Sequence, residues 1–220
     1  PMTSGGEEVS PLNIPQWRSF PLRARLAQWL DMPVVVDNDA KAFALAEGRL
    51  GAAAGTSDYI ALVVSTGIGA GIVIDGKLLH GRLGNAGHIG HVVVESDGPP
   101  CACGGQGCLE ALASGTALEG ALGYPPAQAP DKVRRRTGRL VGRALGAVVN
   151  LLDLRLAVVG GSVALGFGDT FFKEAQAELD ARSGLDFTDG SRVVPAGLGD
   201  DGPLIGAAEV WRHSAGPVGP

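Results

Sequence analysis

The sequence predicts an α/β domain with a largely parallel sheet beside an antiparallel hairpin, and three observations point there. In the last third, helical patterns alternate with short apolar runs such as "LRLAVVGG" and "SRVVPA", the signature of strands connected through helices. In the middle, "IVIDGKLL" carries Asp75-Gly76 between two apolar arms, which marks a two-residue hairpin turn. Glycine supplies 35 of 220 residues without a collagen period, which demands many tight turns and close backbone approaches.

In chain order, "PMTSGGEEVSPLNIPQW" has the turn chemistry of an internal loop, so the chain is expected to start partway through a domain. Arg23 to Leu30 reads as a short amphipathic helix and "MPVVVDND" as a buried strand ending in polar residues. Asp39 to Leu50 is a helix, with Ala40, Phe43, Ala44 and Glu47 at spacings of three and four and Gly51 as its stop. "DYIALVV" is a strand running into "STGIGAG"; the hairpin follows, then "HVVVES" as a further strand. After the Pro/Ala-rich turn "GYPPAQAP" come a long helix over about Lys132 to Leu152, a strand, and a helix from about Thr170 to Ala181. The strand "SRVVPA" and a helix from Pro203 to about His213 complete the pattern.

Composition narrows the function. No run of 18 apolar residues occurs and the start lacks a signal-peptide pattern, so a cytoplasmic protein without a membrane partner is expected. The net charge of −5 leaves no broad electrostatic footprint for nucleic acid. The one basic run, Arg134, Arg135 and Arg136 followed by Arg139 and Arg143, reads as the solvated face of an amphipathic helix in preference to a phosphate-binding patch.

All three cysteines, Cys101, Cys103 and Cys108, lie within the glycine-rich stretch "CACGGQGC". In a reducing compartment such a cluster is more often a metal site than a disulfide framework. His91, ten residues upstream of Cys101, can complete a tetrahedral Cys₃His zinc set. Three buried thiols and an unrelated histidine are the alternative, but cysteines spaced between glycines are poor core formers. Four protein ligands leave no open coordination position, so the zinc is expected to be structural and to position its neighbours: His88, His91 and Glu110.

"STGIGAG" is a Gly/Thr turn after a strand, able to offer backbone N–H groups and a hydroxyl to a phosphate; a ligand-free hairpin turn explains it as well. "VVGGS" allows two readings in the same way, nucleotide contact at Gly160-Gly161 or tight strand-to-helix packing. Asp37, Asn38 and Asp39 stand where a strand meets a helix. One of them is expected as an N-cap, while two carboxylates and an amide would also suit a site that holds a hydroxyl and takes its proton.

Taken together, these segments resemble the ROK family of repressors, open reading frames and sugar kinases. "VSTGIGAGIVIDGKLLHGRLGNAGHIGH" fits its signature spacing, His91, Cys101, Cys103 and Cys108 its zinc motif, and "DNDAKAFALAEG" its catalytic segment. "LAVVGGSVA" and "GPLIGAAEVW" are similar to its adenosine-side turn and closing helix. The resemblance implies an actin-like, ribonuclease-H-like ATPase fold that transfers the γ-phosphate of ATP, with Mg²⁺, to a hydroxyl of a hexose such as glucose or an N-acetylated hexosamine. It implies Asp39 as general base, Asn38, His88, His91 and Glu110 facing the sugar, Thr66, Gly67 and Gly69 at the phosphates, and Gly160 and Gly161 at the adenosine. It further implies a homodimer, and a division into residues 1–38 (remainder of a small domain), 39–200 (large domain, zinc loop 91–110) and 201–220 (closing helix and tail).

Two departures stand out. The family's "DxGGT" phosphate turn is not found in these residues, so the chain looks like the family without roughly its first third and is not expected to complete phosphoryl transfer alone. The family's sugar-binding Glu in "GEIGH" is here His88, which as a neutral imidazole accepts one hydrogen bond where a carboxylate accepts from two hydroxyls. The alternative reading is the sugar-sensing module of a ROK transcriptional regulator, which would bind DNA only if a helix-turn-helix precedes it. An open reading frame with neither activity is a third. Asp39 favours the kinase, because a sensor needs no base.

Overall fold

Alternation along one strand sets the layers of the molecule, a computed structural model that describes residues 1–12 and 14–214. In β1 (Tyr59–Val64), Ile60, Leu62 and Val64 face one core cluster and Tyr59 and Ala61 face the other, as period-two side chains must. On the first side lie α3 (Leu109–Ala113), α4 (Gly115–Leu122), α5 (Asp131–Leu152) and α6 (Ser162–Arg182). On the second lie α2 (Asp39–Leu50) and α7 (Gly202–Ser214). The helix α1 (Leu22–Leu30) precedes them and has no buried residue.

The sheet is mixed, in the order β3-β2-β1-β4-β5. β2 (Ile68–Ile74) and β3 (Lys77–Leu78) form the expected hairpin, in which Asp75 and Gly76 both take positive φ, 51° and 70°, as a twisted two-residue turn requires. β1 runs antiparallel to β2 and parallel to β4 (Leu156–Gly160), which runs parallel to β5 (Arg192–Pro195). Val63 pairs with Gly160, so the two glycine-rich turns leave the sheet side by side.

Some elements differ from expectation. "MPVVVDND" is extended but has no ladder partner among the described residues. "HVVVES" is not a strand: a 3₁₀ turn at Ile89–His91 leads into a segment that bonds to the cysteine loop. Leu109 donates to the Val92 carbonyl, and Val94 to that of Gly107. Helix α6 begins at Ser162, eight residues before the predicted start, with a break at Gly168 (φ 57°, ψ −146°). The tail at 215–220 lies outside the described residues.

Three of the glycines serve contact between α5 and α6. Gly138, Gly142 and Gly146 share one face of α5 and lie against α6, where a methyl on any of them would strike Phe171, Ala175 or Arg182. The arginine run on α5 is paired within the fold: Arg135 and Arg139 with Glu174, Arg143 with Glu178, and Arg136 with Glu95. It is no open phosphate patch.

Candidate functional site

The first residues of β2 form the hub of the site. Glu110, in the first turn of α3, accepts the Ile68 N–H with Oε2 at 2.8 Å, which brings its carboxylate onto the Gly67-Ile68 turn. A methyl at Gly69 would stand 3.1 Å from the Ala40 Cβ, so the same strand packs on the first turn of α2 beside Asp39. The Ala70 N–H donates to the Gly87 carbonyl at 2.8 Å, and Gly90 lies too close to the Ile68 carbonyl and Glu110 to accept a side chain. Thus Asp39, Glu110 and the turn bearing His88 and His91 converge on three successive residues of β2.

Asn38 is the N-cap of α2, its side chain accepting the Ala40 N–H at 3.0 Å; Asp39 is the exposed first residue of the helix. The helix N-terminus favours a carboxylate there. Asp37 turns inward and accepts the Asn38 N–H at 2.8 Å. Of the three polar residues predicted together, Asn38 is the cap, Asp39 Oδ1 shares the Ala40 N–H at 2.9 Å, and Asp39 alone is exposed to solvent.

His88 Nδ1 lies 2.8 Å from the Asn85 carbonyl, which can only accept, so Nδ1 carries the hydrogen and Nε2 is the acceptor of the neutral ring. Burial depresses the His88 pKa below its ordinary value, and the nearby Lys41 charge adds to that, while the Asn85 bond opposes it. The His88 and His91 rings are stacked with centroids 6.2 Å apart.

The ligand atoms of His91, Cys101, Cys103 and Cys108 all lie within 4.8 Å of one another, a donor set that could hold a metal. His91 Nδ1 is 3.6 Å from Cys101 Sγ, and Cys103 Sγ is 3.8 Å from Cys108 Sγ. The Gly105 backbone and the Cys101 side chain lower the Cys103 thiol, whereas burial pushes that of Cys108 up to about 12. Arg143 donates to the Val94 carbonyl at 2.9 Å and so ties α5 to the segment behind the loop.

On the other side of the β2 hub, Ser65 and Ser162 join the turns after β1 and β4 through hydroxyls 3.0 Å apart. Gly161 has φ 93° and stands so close to the Val64 backbone that a side chain is excluded. Thr66 is exposed, and its carbonyl accepts from the Thr116 hydroxyl at 3.0 Å. A cavity of about 290 Å³ opens here, with Thr66, Thr116, Ser162, Val163 and Phe167 among its walls. Gly160 instead faces Phe43 and Ala196. A larger hollow of about 550 Å³ lies at the far end of α2, around Arg49, Tyr59 and Glu209, away from every residue predicted for the site.

Sequence reasoning passed over Lys41, Ser65, Ser162 and Thr116. Ser65 and Ser162 were visible as the polar members of their glycine turns. Lys41 carried a signal of its own, a charge inside an otherwise apolar helical stretch.

The ROK family model matches residues 6–214. The chain belongs to the ROK family. Among its relatives, a Thermotoga maritima glucokinase is 32% identical over 234 aligned positions, covering 93% of this chain and 74% of that protein. A Haemophilus influenzae N-acetylmannosamine kinase is 34% identical over 217 positions, covering 91% and 70%. The crystal structure of a ROK family glucokinase from Streptomyces griseus in complex with glucose and AMPPNP superposes with a TM-score of 0.84 at 32% identity, covering 95% of this chain and 78% of that one. The actin-like α/β architecture expected of the ROK family is the one observed, and the relatives favour a sugar kinase over a regulator. Among the described residues no helix is long and apolar enough to cross a membrane.

Proposed function

We propose that this ROK protein is an ATP-dependent sugar kinase acting on a hexose such as glucose or an N-acetylated hexosamine. The observation that carries this reading is the Glu110–Ile68 hydrogen bond, 2.8 Å, because it sets the sugar-facing wall directly against the phosphate-facing turn. A hydroxyl held by Asn38 and Glu110 then lies between a carboxylate and a bound γ-phosphate. Asp39 takes the hydroxyl proton as the sugar oxygen bonds to phosphorus and ADP leaves. Backbone N–H groups of Thr66 and Gly67, in the turn whose Ile68 N–H is taken by Glu110, stabilise phosphate charge, and Mg²⁺, when bound with ATP, would neutralise the rest. The 290 Å³ cavity lined by Ser162 and Phe167 takes the adenosine.

Two edges of the Cys₃His set have the dimensions of a zinc tetrahedron. Zn–S near 2.3 Å and Zn–N near 2.0 Å give tetrahedral edges of about 3.8 Å between sulfurs and about 3.6 Å between sulfur and nitrogen. The Cys103–Cys108 and His91–Cys101 separations are 3.8 and 3.6 Å. With Nδ1 of His91 turned to the metal, its Nε2–H remains free to donate to a sugar oxygen, so one residue serves both roles.

The test is ATP-dependent phosphorylation of glucose, N-acetylglucosamine and N-acetylmannosamine by the complete gene product, wild type against Asp39→Asn. Turnover is expected to fall by about 10² to 10⁴ with little change in sugar affinity. Equal turnover in the two proteins removes Asp39 from the chemistry, and no phosphorylation or binding of any of these sugars overturns the kinase reading.

A further inference from the structure

Lys41 is among the largest fully buried side chains of the described residues, at 1% exposure, although lysine is rarely buried without a compensating partner. Its Nζ donates to the Gly84 carbonyl at 2.6 Å and stands 3.5 Å from Asp37 Oδ1. A methionine would fill much the same volume without the cost of desolvating a charge, so packing alone does not explain the amine.

What the amine joins is specific. Asp37 immediately precedes the Asn38 cap, and Lys41 itself lies two residues beyond Asp39 in the first turn of α2. Gly84 belongs to the Gly81–Asn85 turn, whose next carbonyl, that of Asn85, accepts the His88 Nδ1 hydrogen. A path therefore runs from the turn that carries Asp39, through Lys41 and the Gly84 carbonyl, to the adjoining Asn85 carbonyl that fixes the tautomer and direction of His88. No ligand can touch Lys41 at its depth.

We propose that Lys41 is a positioning residue for the sugar wall: by holding the Gly84 carbonyl against Asp37 it sets the direction of His88 Nε2 relative to Asp39. The inference rests on the sugar-site reading above and adds a residue that acts on sugar recognition alone. The bonds that Lys41 makes, to the Gly84 carbonyl and Asp37, do not reach the nucleotide turns.

Lys41→Met tests this in the complete gene product by calorimetry, with whichever of glucose and N-acetylmannosamine the wild type binds more tightly, and with a non-hydrolysable ATP analogue in parallel. Sugar affinity is expected to fall at least about tenfold while nucleotide affinity holds, and ¹⁵N signals of the His88 ring are expected to move from the Nδ1–H pattern toward a tautomer mixture. A purely structural role would not single out the sugar or the ring tautomer. Folded Lys41→Met with sugar affinity and His88 signals like wild type overturns the proposal, as does equal weakening of both ligands. Should Lys41→Met not fold, wild-type protein with ¹⁵N-labelled lysine decides: saturating sugar is expected to slow exchange of the Lys41 Nζ protons, and unchanged exchange overturns the role. Absence of sugar binding by the wild type refutes the kinase reading instead.

Discussion

Glu47 accepts the backbone N–H of Gly197, 3.0 Å from Oε2, so the last turns of α2 are anchored to the chain between β5 and α7. The same carboxylate takes N–H groups from Ala52 at 2.7 Å and Leu198 at 3.2 Å and is fully buried. Helix α2 is thus held at both ends, by Lys41 near its start and Glu47 near its finish.

Glu47→Ala removes the acceptor of three backbone N–H groups, and losing hydrogen bonds to a charged group costs about 1.5 to 3 kcal/mol. Urea unfolding is expected to show that loss, and Glu47→Gln, which keeps one acceptor oxygen, is expected to lose less. A change below about 1 kcal/mol for Ala would show that water replaces the carboxylate there.

Glu178 gives a pH dependence. Burial alone would raise its carboxyl, but hydrogen bonds from Arg143 and Arg182 at 3.0 Å outweigh this and hold it below the ordinary value. A depressed carboxyl contributes stability that is present above its unfolded value, about 4.3, and is lost as pH falls through the folded value. Glu178→Gln is therefore expected to melt below wild type near pH 7, with the gap closing as the pH falls below about 4. A gap that is constant across this range rules out the ion pairing as its source.

Metal analysis of reduced, chelator-free protein is expected to find about one zinc per chain, and none in Cys103→Ser, because the three remaining ligands cannot close the tetrahedron. Substoichiometric zinc in the wild type contradicts this.

His88→Glu replaces a single acceptor by a carboxylate able to take two hydroxyls. Affinity for a neutral hexose is expected to rise by about 1 to 3 kcal/mol, the scale of a hydrogen bond to a charged group. Identical calorimetric affinities in the two proteins would place His88 outside the sugar site.

The parts of this fold that could be read from sequence are those fixed by local chemistry. Asp75-Gly76 dictates its own turn, and the Ala40, Phe43, Ala44 and Glu47 spacing dictates a helix, so both are observed where expected. "VVV" occurs twice, at 34–36 and 92–94, and was read as strand both times; a strand also needs a neighbour, and the second run gives its hydrogen bonds to the cysteine loop. Helix α6 starts earlier than its sequence predicts because Gly166 and Gly168 read as a loop, and Gly168 does break the helical dihedrals there. The cysteine cluster was legible because its ligands are close in sequence. The convergence of Asp39, Glu110 and His88 on β2 was not, since it comes from pairings across the sheet that no single segment encodes.

The glycine face of α5 has a mechanical consequence. With backbone against backbone at Gly138 and Gly142, and Gly146 against the Arg182 side chain, α5 and α6 approach too closely to slide freely, so the pair transmits displacement more than it absorbs it. One alanine at Gly142 would prise the helices apart along their length. Because Arg136 and Arg143 grip Glu95 and the Val94 carbonyl from the same helix, a methyl group placed far from any ligand would be felt at the wall that carries the cysteines.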